Sequence, residues 1–288
     1  MEQYRIVLGI EIGRDFLRSA EVENRDGKFF LSRVAERKLE TLEVEELVQV
    51  LSLLINEETI LSRIASVAID TTITERDTVE VDADLRPEEI SNFLKAEISF
   101  HNNFSENEYR PAYEVVKTSR EGYKEIFYAA INKPLLNSLR NACTRCGLDL
   151  QFIDLDHLCS ETTINKLEQS VKNYVLVTVK SHQVEASFCK NGERNVYKYI
   201  NYSGEPFYFV TKIVQDLESE TNEYAEKIFV TGTTADVFLV DLLQKSVDKR
   251  YELLVPTQSL LLSPVASMNN KLKTVPHHFS PAIGAALK

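Results

Sequence analysis

Apolar and polar positions alternate with a period of two through most of the first forty residues, and then the period changes. Tyr4 to Ile10 is apolar and rich in β-formers, and Phe16 to Val22 and Phe29 to Ala35 alternate. Gly13 and the Asp26-Gly27 pair supply turns between these runs, so the pattern predicts a three-stranded meander. A Rossmann opening, which needs a helix after its first strand, is excluded. Further on, Val44, Leu47, Val48, Leu51 and Ile55 fall on one helical face. Glu43, Glu45 and Glu46 sit near its N-terminus, where the helix dipole favours acids. Short strands are predicted at Ser66 to Ile69 and Thr78 to Val81. Pro87, followed by Glu88 and Glu89, begins a second helix with Ile90, Phe93, Leu94 and Ile98 on its apolar face. Two strands, Tyr113 to Lys117 and Glu125 to Ile131, precede a helix from Pro134 to Cys146 that Gly147 caps.

The pattern then restarts. Leu150 to Leu155 reads as a strand and Leu158 to Leu167 as a helix. Three strands follow at Tyr174 to Val179, Val184 to Cys189 and Val196 to Ile200, the last two joined by an Asn191-Gly192 turn. A helix begins at Pro206, Ile228 to Val230 is a strand, and Asp236 to Val247 is a helix. Ser280 and Pro281 start a final helix of small residues, Pro281 to Leu287. Three strands followed by a helix therefore occur twice. Two such units facing each other describe the ribonuclease-H-like, actin-like class. The expectation is a two-lobed α/β fold with an inserted α+β subdomain in the first lobe and a reduced second lobe. Residues 1–71 form the first domain, 72–149 the insertion and 150–170 the return to the first domain. Residues 171–279 form the second domain with a shortened insertion, and 280–288 a C-terminal helix that packs back on the first.

Composition narrows the partners. A formal net charge of -11 over 288 residues argues against nucleic acid and against direct docking on an anionic membrane. No apolar run approaches the roughly 20 residues of a membrane span, and the run from Met1 to Ile10 is broken by Arg5, so no signal peptide is expected. Cys143 and Cys146 form a C-x-x-C that closes a helix rather than opening one, so no dipole activates a thiol. No second pair completes a zinc site. Cys159 and Cys189 read as small buried residues, and the four cysteines fit a reducing cytoplasm. His277-His278 reads as a surface loop, because neighbours in an extended segment point opposite ways. His101, His157 and His182 show no ligand spacing, and no P-loop, Gly-x-Ser-x-Gly or His-Glu-x-x-His occurs.

Several patches, taken in order, resemble the type IV pilus assembly protein PilM family of the actin-like ATPase superfamily. Gly9-Ile-Glu-Ile-Gly13 is similar to that family's Gly-Ile-Asp-Ile-Gly, and Leu17-Arg-Ser-Ala-Glu21 follows as its next strand. Pro87-Glu-Glu-Ile90, Lys95-Ala-Glu97 and Phe100 to Phe104 resemble the inserted subdomain, and Tyr113-Glu-Val-Val116 its next strand. Gly147 to Asp154 resembles the passage back into the first domain. Phe229-Val-Thr-Gly-Thr233 stands at the adenosine turn, and Ala282-Ile-Gly-Ala285 at the last helix.

The resemblance implies a nucleotide cleft made of Glu11, Gly13, Arg14, Thr178, Lys180, Gly232 and Thr233. It also implies that this cleft has degenerated. Glu11 replaces an aspartate and reaches one methylene further. Arg14 could hold a phosphate that Asp15 would repel. Thr178 stands for a second aspartate, Lys180 for a glycine, and Thr233 for a further glycine of the adenosine turn. Only about two dozen residues separate Gly204 from Ile228, so one wall of the cleft is reduced. Lys180 and Glu11 are expected to pair across the empty cleft.

The leading expectation is thus a non-catalytic scaffold, cytoplasmic and peripheral to an inner membrane. It needs no cofactor and binds the short cytoplasmic tail of a membrane-anchored pilus or secretion protein. The tail groove would involve Pro87 to Tyr113, with Phe104 and Tyr109 as aromatic anchors. Self-association stays open. The alternative is an active ATPase using ATP and magnesium, with Glu11 on the metal and Arg14 on a phosphate. Another actin-like division or secretion component is a third reading, although the tail from Ser280 to Lys288 is too short for an amphipathic membrane helix.

Overall fold

A computed structural model describes residues 5–102, 108–118, 122–247 and 249–288. The opening meander is β1 (Arg5–Ile12), β2 (Phe16–Arg25) and β3 (Lys28–Lys38). Helix α1 (Val44–Glu57) carries the chain back, so that β4 (Ile64–Ile69) lies parallel to β1. An insertion follows, comprising β5 (Glu75–Asp82), α2 (Pro87–Asn102), β6 (Tyr109–Thr118) and β7 (Tyr123–Asn132). Helix α3 (Lys133–Arg145) starts on an Asn132 cap and leads to β8 (Asp149–Leu155), which joins β4 in parallel. After α4 (Asp156–Leu167) come β9 (Asn173–Lys180), β10 (Gln183–Lys190) and β11 (Glu193–Asn201). Helix α5 (Pro206–Thr221), β12 (Lys227–Thr231), α6 (Val237–Ser246) and β13 (Tyr251–Leu253) complete the second lobe.

The duplication is visible in the strand order. Apart from a two-residue strand added at its β3 edge, the first sheet runs β3-β2-β1-β4-β8, and the second runs β11-β10-β9-β12-β13, each with the first strand of its meander in the middle. In each sheet the meander is antiparallel, and the fourth and fifth strands run parallel to the first. Parallel strands end on one edge, and in open sheets of this kind that edge is where sites collect. Between β11 and β12 lies α5 alone, as the short spacing after Gly204 predicts.

The chain crosses back to the first lobe earlier than residue 280. Strand β14 (Leu261–Leu262) adds to the edge of β3, and α7 (Pro264–Met268) and α8 (Asn270–Thr274) follow. Elements of two to five residues show no period, which is why the sequence carries no reading there. Helix α9 (Ser280–Ala286) is wedged between β1 and α4. A Cβ on Gly9 would lie 1.8 Å from the Ala282 carbonyl oxygen, and one on Gly284 1.7 Å from that of Cys159. Small residues let this helix touch backbone on both sides.

His277-His278 is not a surface loop. The pair lies in a 3-10 turn, Pro276–Phe279, with the rings 4.5 Å apart. His277 is 3% exposed, and its Nε2 donates to the Ala235 carbonyl at 2.8 Å. Burial pushes the His278 imidazole down to about 3. The cysteines are free; Cys143, Cys159 and Cys189 are buried, and burial raises the Cys143 thiol to about 12. Among the described residues, no helix is long and apolar enough to cross a membrane.

In the insertion, β5-β7-β6 forms a separate sheet with α2 on one face. The opposite face carries Phe127, whose ring lies 4.7 Å from that of Tyr197 on β11. Glu114 on the same face meets Arg194 of the second lobe. The insertion therefore rests on both lobes.

Candidate functional site

The ends of parallel strands bring the site together. Ile12, Ile69 and Leu155 are in register on β1, β4 and β8, so Gly13, Asp70 and Asp156 emerge side by side. In the second sheet Thr178 pairs with Thr231, so Lys180 emerges beside Gly232 and Thr233. Lys180 reaches across to the first lobe. Its Nζ lies 2.9 Å from Asp70, 2.7 Å from Asp156 and 2.9 Å from Glu185 of β10. It also donates to the Thr71 hydroxyl, which in turn donates to Glu185 at 2.7 Å.

The carboxylates are fixed from behind. Backbone N–H groups of Thr72 and His157 donate to Asp70 and Asp156, each at 2.8 Å. Tyr197 donates to Glu185 at 2.6 Å, and Arg76 donates to the Tyr197 hydroxyl at 2.7 Å and to the Thr71 carbonyl at 2.6 Å. Burial alone would lower the Lys180 ammonium, but Asp156, Glu185 and Asp70 hold it well above its ordinary value. Burial raises all three acids. For Glu185 and Asp70, the cations Lys180 and, at Glu185, Arg76 outweigh it, so both stay below the usual carboxylate range. At Asp156 burial, together with the neighbouring Asp70 and Glu185 carboxylates, outweighs the pull of Lys180 and lifts the carboxyl to about 7.

Glu11 does not take Lys180 as its ion-pair partner. It is paired with Arg18, its cross-strand neighbour on β2, at 3.3 Å. Arg18 in turn bonds Glu36 of β3 at 2.8 Å, so three charges form a ladder across the meander. Cross-strand neighbours hold Glu11 at short range, and Lys180 finds three closer acids. Burial raises Glu11 to about 8, against the pull of Arg18.

The other expected cleft residues are present but turned to other uses. A Cβ on Gly13 would lie 2.3 Å from the Phe16 ring, so that ring packs directly over the Gly13 backbone. The Arg18 guanidinium stacks 4.0 Å above the same ring. Arg14 is exposed at the mouth of a wider outer cleft of about 830 Å³. Thr178 bonds His157 Nδ1 at 2.8 Å, and His157 Nε2 bonds Ser187 at 2.9 Å. Gly232 has φ +105°, and a Cβ there would lie 2.3 Å from the Val179 carbonyl oxygen. Its flexibility thus serves contact between strands. The space left among Glu11, Asp156, Lys180, Thr233 and His277 is about 10 Å³, room for one water at most. That enclosed space does not hold a metal-bound triphosphate. Among the described residues, no group of His, Cys, Asp and Glu stands ready for a metal.

A second crevice opens on the other side of the same strand ends. It lies between edge strand β8 and the insertion, with a volume of about 300 Å³. Residues 150–155 of β8 form one wall, and Arg110, Ala112, Ala129 and Ile131 the other. Tyr109 does not line it. Alternation along β6 turns Tyr109 and Tyr113 toward α2, where they pack on the insertion's own core. Arg110 and Ala112 take the groove face instead. Phe104 lies outside the described residues. The residues that sequence reasoning missed are Asp70, Thr71, Arg76, Asp156, His157 and Glu185. A legible signal did exist: Asp70 and Asp156 each directly follow a strand of the first sheet.

Comparison with known proteins agrees on the fold. The chain superposes on a structure described as the PilM-PilN type IV pilus biogenesis complex with a TM-score of 0.75, at 16% identity, covering 98% of this chain and 97% of that one. The cytoplasmic domain of EpsL, an inner-membrane component of the type II secretion system of Vibrio cholerae, gives 0.54 at 11% identity, over 88% and 94%. A protein of unknown function with an actin-like ATPase fold, from Bacteroides thetaiotaomicron, gives 0.53 at 13%, over 88% and 94%. No family model matches, and no curated protein matches. The fold is that of the actin-like ATPases, two-lobed and α/β, and it is similar to PilM at low sequence identity.

Proposed function

We propose that the chain is a non-catalytic scaffold of a type IV pilus or related secretion apparatus. It holds the short cytoplasmic tail of an inner-membrane protein in the groove between β8 and the insertion. It would work at the cytoplasmic face of that membrane, through this partner. The observation that carries the reading is β8 itself. It is a seven-residue edge strand with no proline or lysine, Phe152 is 47% exposed on it, and a largely apolar groove runs alongside. Soluble proteins normally blunt such an edge. An extended tail that adds as a strand would satisfy its backbone and place apolar side chains between Ala112 and Phe152. The likeness to a PilM-PilN complex and to EpsL, an inner-membrane component, supports a partner of this kind.

The competing reading, an ATPase using magnesium-ATP, meets Lys180 in the enclosed space and the Phe16 ring over Gly13. Two measurements separate the readings. In pull-downs with the cytoplasmic tails of inner-membrane pilus and secretion proteins, Ala112→Arg should abolish capture, whereas unchanged capture would remove the groove from the mechanism. Calorimetry with ATP and magnesium should show no heat of binding, and micromolar affinity would restore the enzyme.

A further inference from the structure

Asp70, Thr71, Asp156 and Glu185 offer four oxygen acceptors converging on one point. Three of them are carboxylates, the donor set that suits a hard cation. The point is taken by the chain's own Lys180 ammonium. Asp70, Thr71 and Asp156 belong to the first lobe; Glu185 and Lys180 belong to the second. Every one of these side chains is buried, and backbone N–H groups aim Asp70 and Asp156 inward. Three carboxylates this close repel one another unless a cation lies between them.

We propose that this is a built cation site whose resident is Lys180, and that the ammonium clamps the two lobes together without nucleotide or metal. The ammonium carries one charge and three donors, so it ties both lobes at fixed distance. Because it is covalently part of β9, it cannot leave. The relative placement of the lobes is therefore set permanently, and neither magnesium nor ATP shifts it. The proposal does not depend on what the β8 groove binds.

Amide hydrogen exchange across residues 70–76 and 180–186, together with thermal melting, tests it. In the wild-type chain neither observable should change on adding millimolar magnesium chloride or magnesium-ATP. In Lys180→Ala the same segments should exchange at least about tenfold faster, since the interlobe contact opens locally. Magnesium or calcium should then restore protection and raise the melting temperature, because the oxygens remain while the ammonium is gone. Lys180→Ala that folds only with a divalent cation also supports the site. Wild-type segments that gain protection from magnesium-ATP would overturn the proposal. So would a folded Lys180→Ala that exchanges as slowly as wild type, or one indifferent to every divalent cation. If Lys180→Ala fails to fold under any condition, the wild-type chain decides. A slowly exchanging Lys180 ammonium resonance in nitrogen-15 spectra upholds the clamp, and a rapidly exchanging one refutes it.

Discussion

Two crevices leave the same row of strand ends, and the protein treats them oppositely. Ile69 and Leu155 line the open groove; the next residues, Asp70 and Asp156, line the closed cage. The cage holds about 10 Å³ and is crowded with paired charge, whereas the groove holds about 300 Å³ between largely apolar walls with Arg110 and Asp154 among them. Buried charge persists only where it is partnered, so substitutions in the cage must damage the fold. Open apolar surface costs the isolated fold little, so substitutions in the groove should damage binding alone. On the proposed reading one crevice serves stability and the other recognition, and the boundary between them is a single peptide bond.

The sharpest test of that division is Lys180→Met. It leaves three buried carboxylates without their shared cation, and breaking a buried ion pair costs about 3–5 kcal/mol. Urea denaturation should show a loss of that order. A loss below about 1 kcal/mol would mean that water reaches the cage and that the contrast is false.

Gly232→Ala should come next. The backbone there has φ +105°, and the new Cβ meets the Val179 carbonyl, so we expect about 1–3 kcal/mol of destabilisation. Gly147 also has positive φ, +72°, but nothing lies within 4 Å of its added Cβ. Gly147→Ala should therefore cost less. Equal losses at both positions would show that Gly232 is kept for its backbone alone and not for contact with β9.

Much of this was legible in the sequence, and the limits have physical causes. The long elements carried clear periods, so both meanders, the insertion and the final helix were readable. The stretch from Tyr251 to Thr274 was not, because β13, β14, α7 and α8 are too short to show one. Lys180 is expected from the sequence to pair with Glu11, whereas its ammonium lies among Asp70, Asp156 and Glu185. A pattern along one strand does not reveal which acids a long side chain will meet on another lobe. Tyr109 takes the α2 face of β6 instead of the crevice beside β8, which the sequence does not show because strand parity depends on register, and register needs the sheet. Asp156 was missed because the helix was started two residues late, at Leu158 instead of Asp156.

A smaller effect separates the ladder of Glu11, Arg18 and Glu36 from the lysine cage. Burial lifts Glu11 to about 8, from an ordinary 4.5 when unfolded. Between those values the folded chain holds a proton that the unfolded chain has released. Stability should therefore fall as pH rises through that window, by at most about 1.4 kcal/mol per pH unit from this group. Glu11→Gln removes the titration, so the variant should gain on wild type as pH rises from 4.5 to 8. A stability difference that stays flat with pH would mean that Arg18 keeps Glu11 ionised throughout.

The smallest effect on the fold should come from the groove. Ala112 is exposed and faces Ala129 across the β6–β7 pair, away from the insertion's core. Ala112→Arg adds bulk only to the open space, so denaturation should shift by no more than about 0.5 kcal/mol. The same change fills the channel in which an extended tail would lie, and tail affinity should drop at least about tenfold, equivalent to 1.4 kcal/mol. Tyr109→Ala should do the reverse, loosening the packing on α2 while sparing the groove wall. If Ala112→Arg weakens the fold as much as it weakens binding, the groove is part of the core. If Tyr109→Ala weakens binding at unchanged stability, the recognition surface extends to the α2 side. Only the crossed pattern keeps the two crevices separate in function as they are in chemistry.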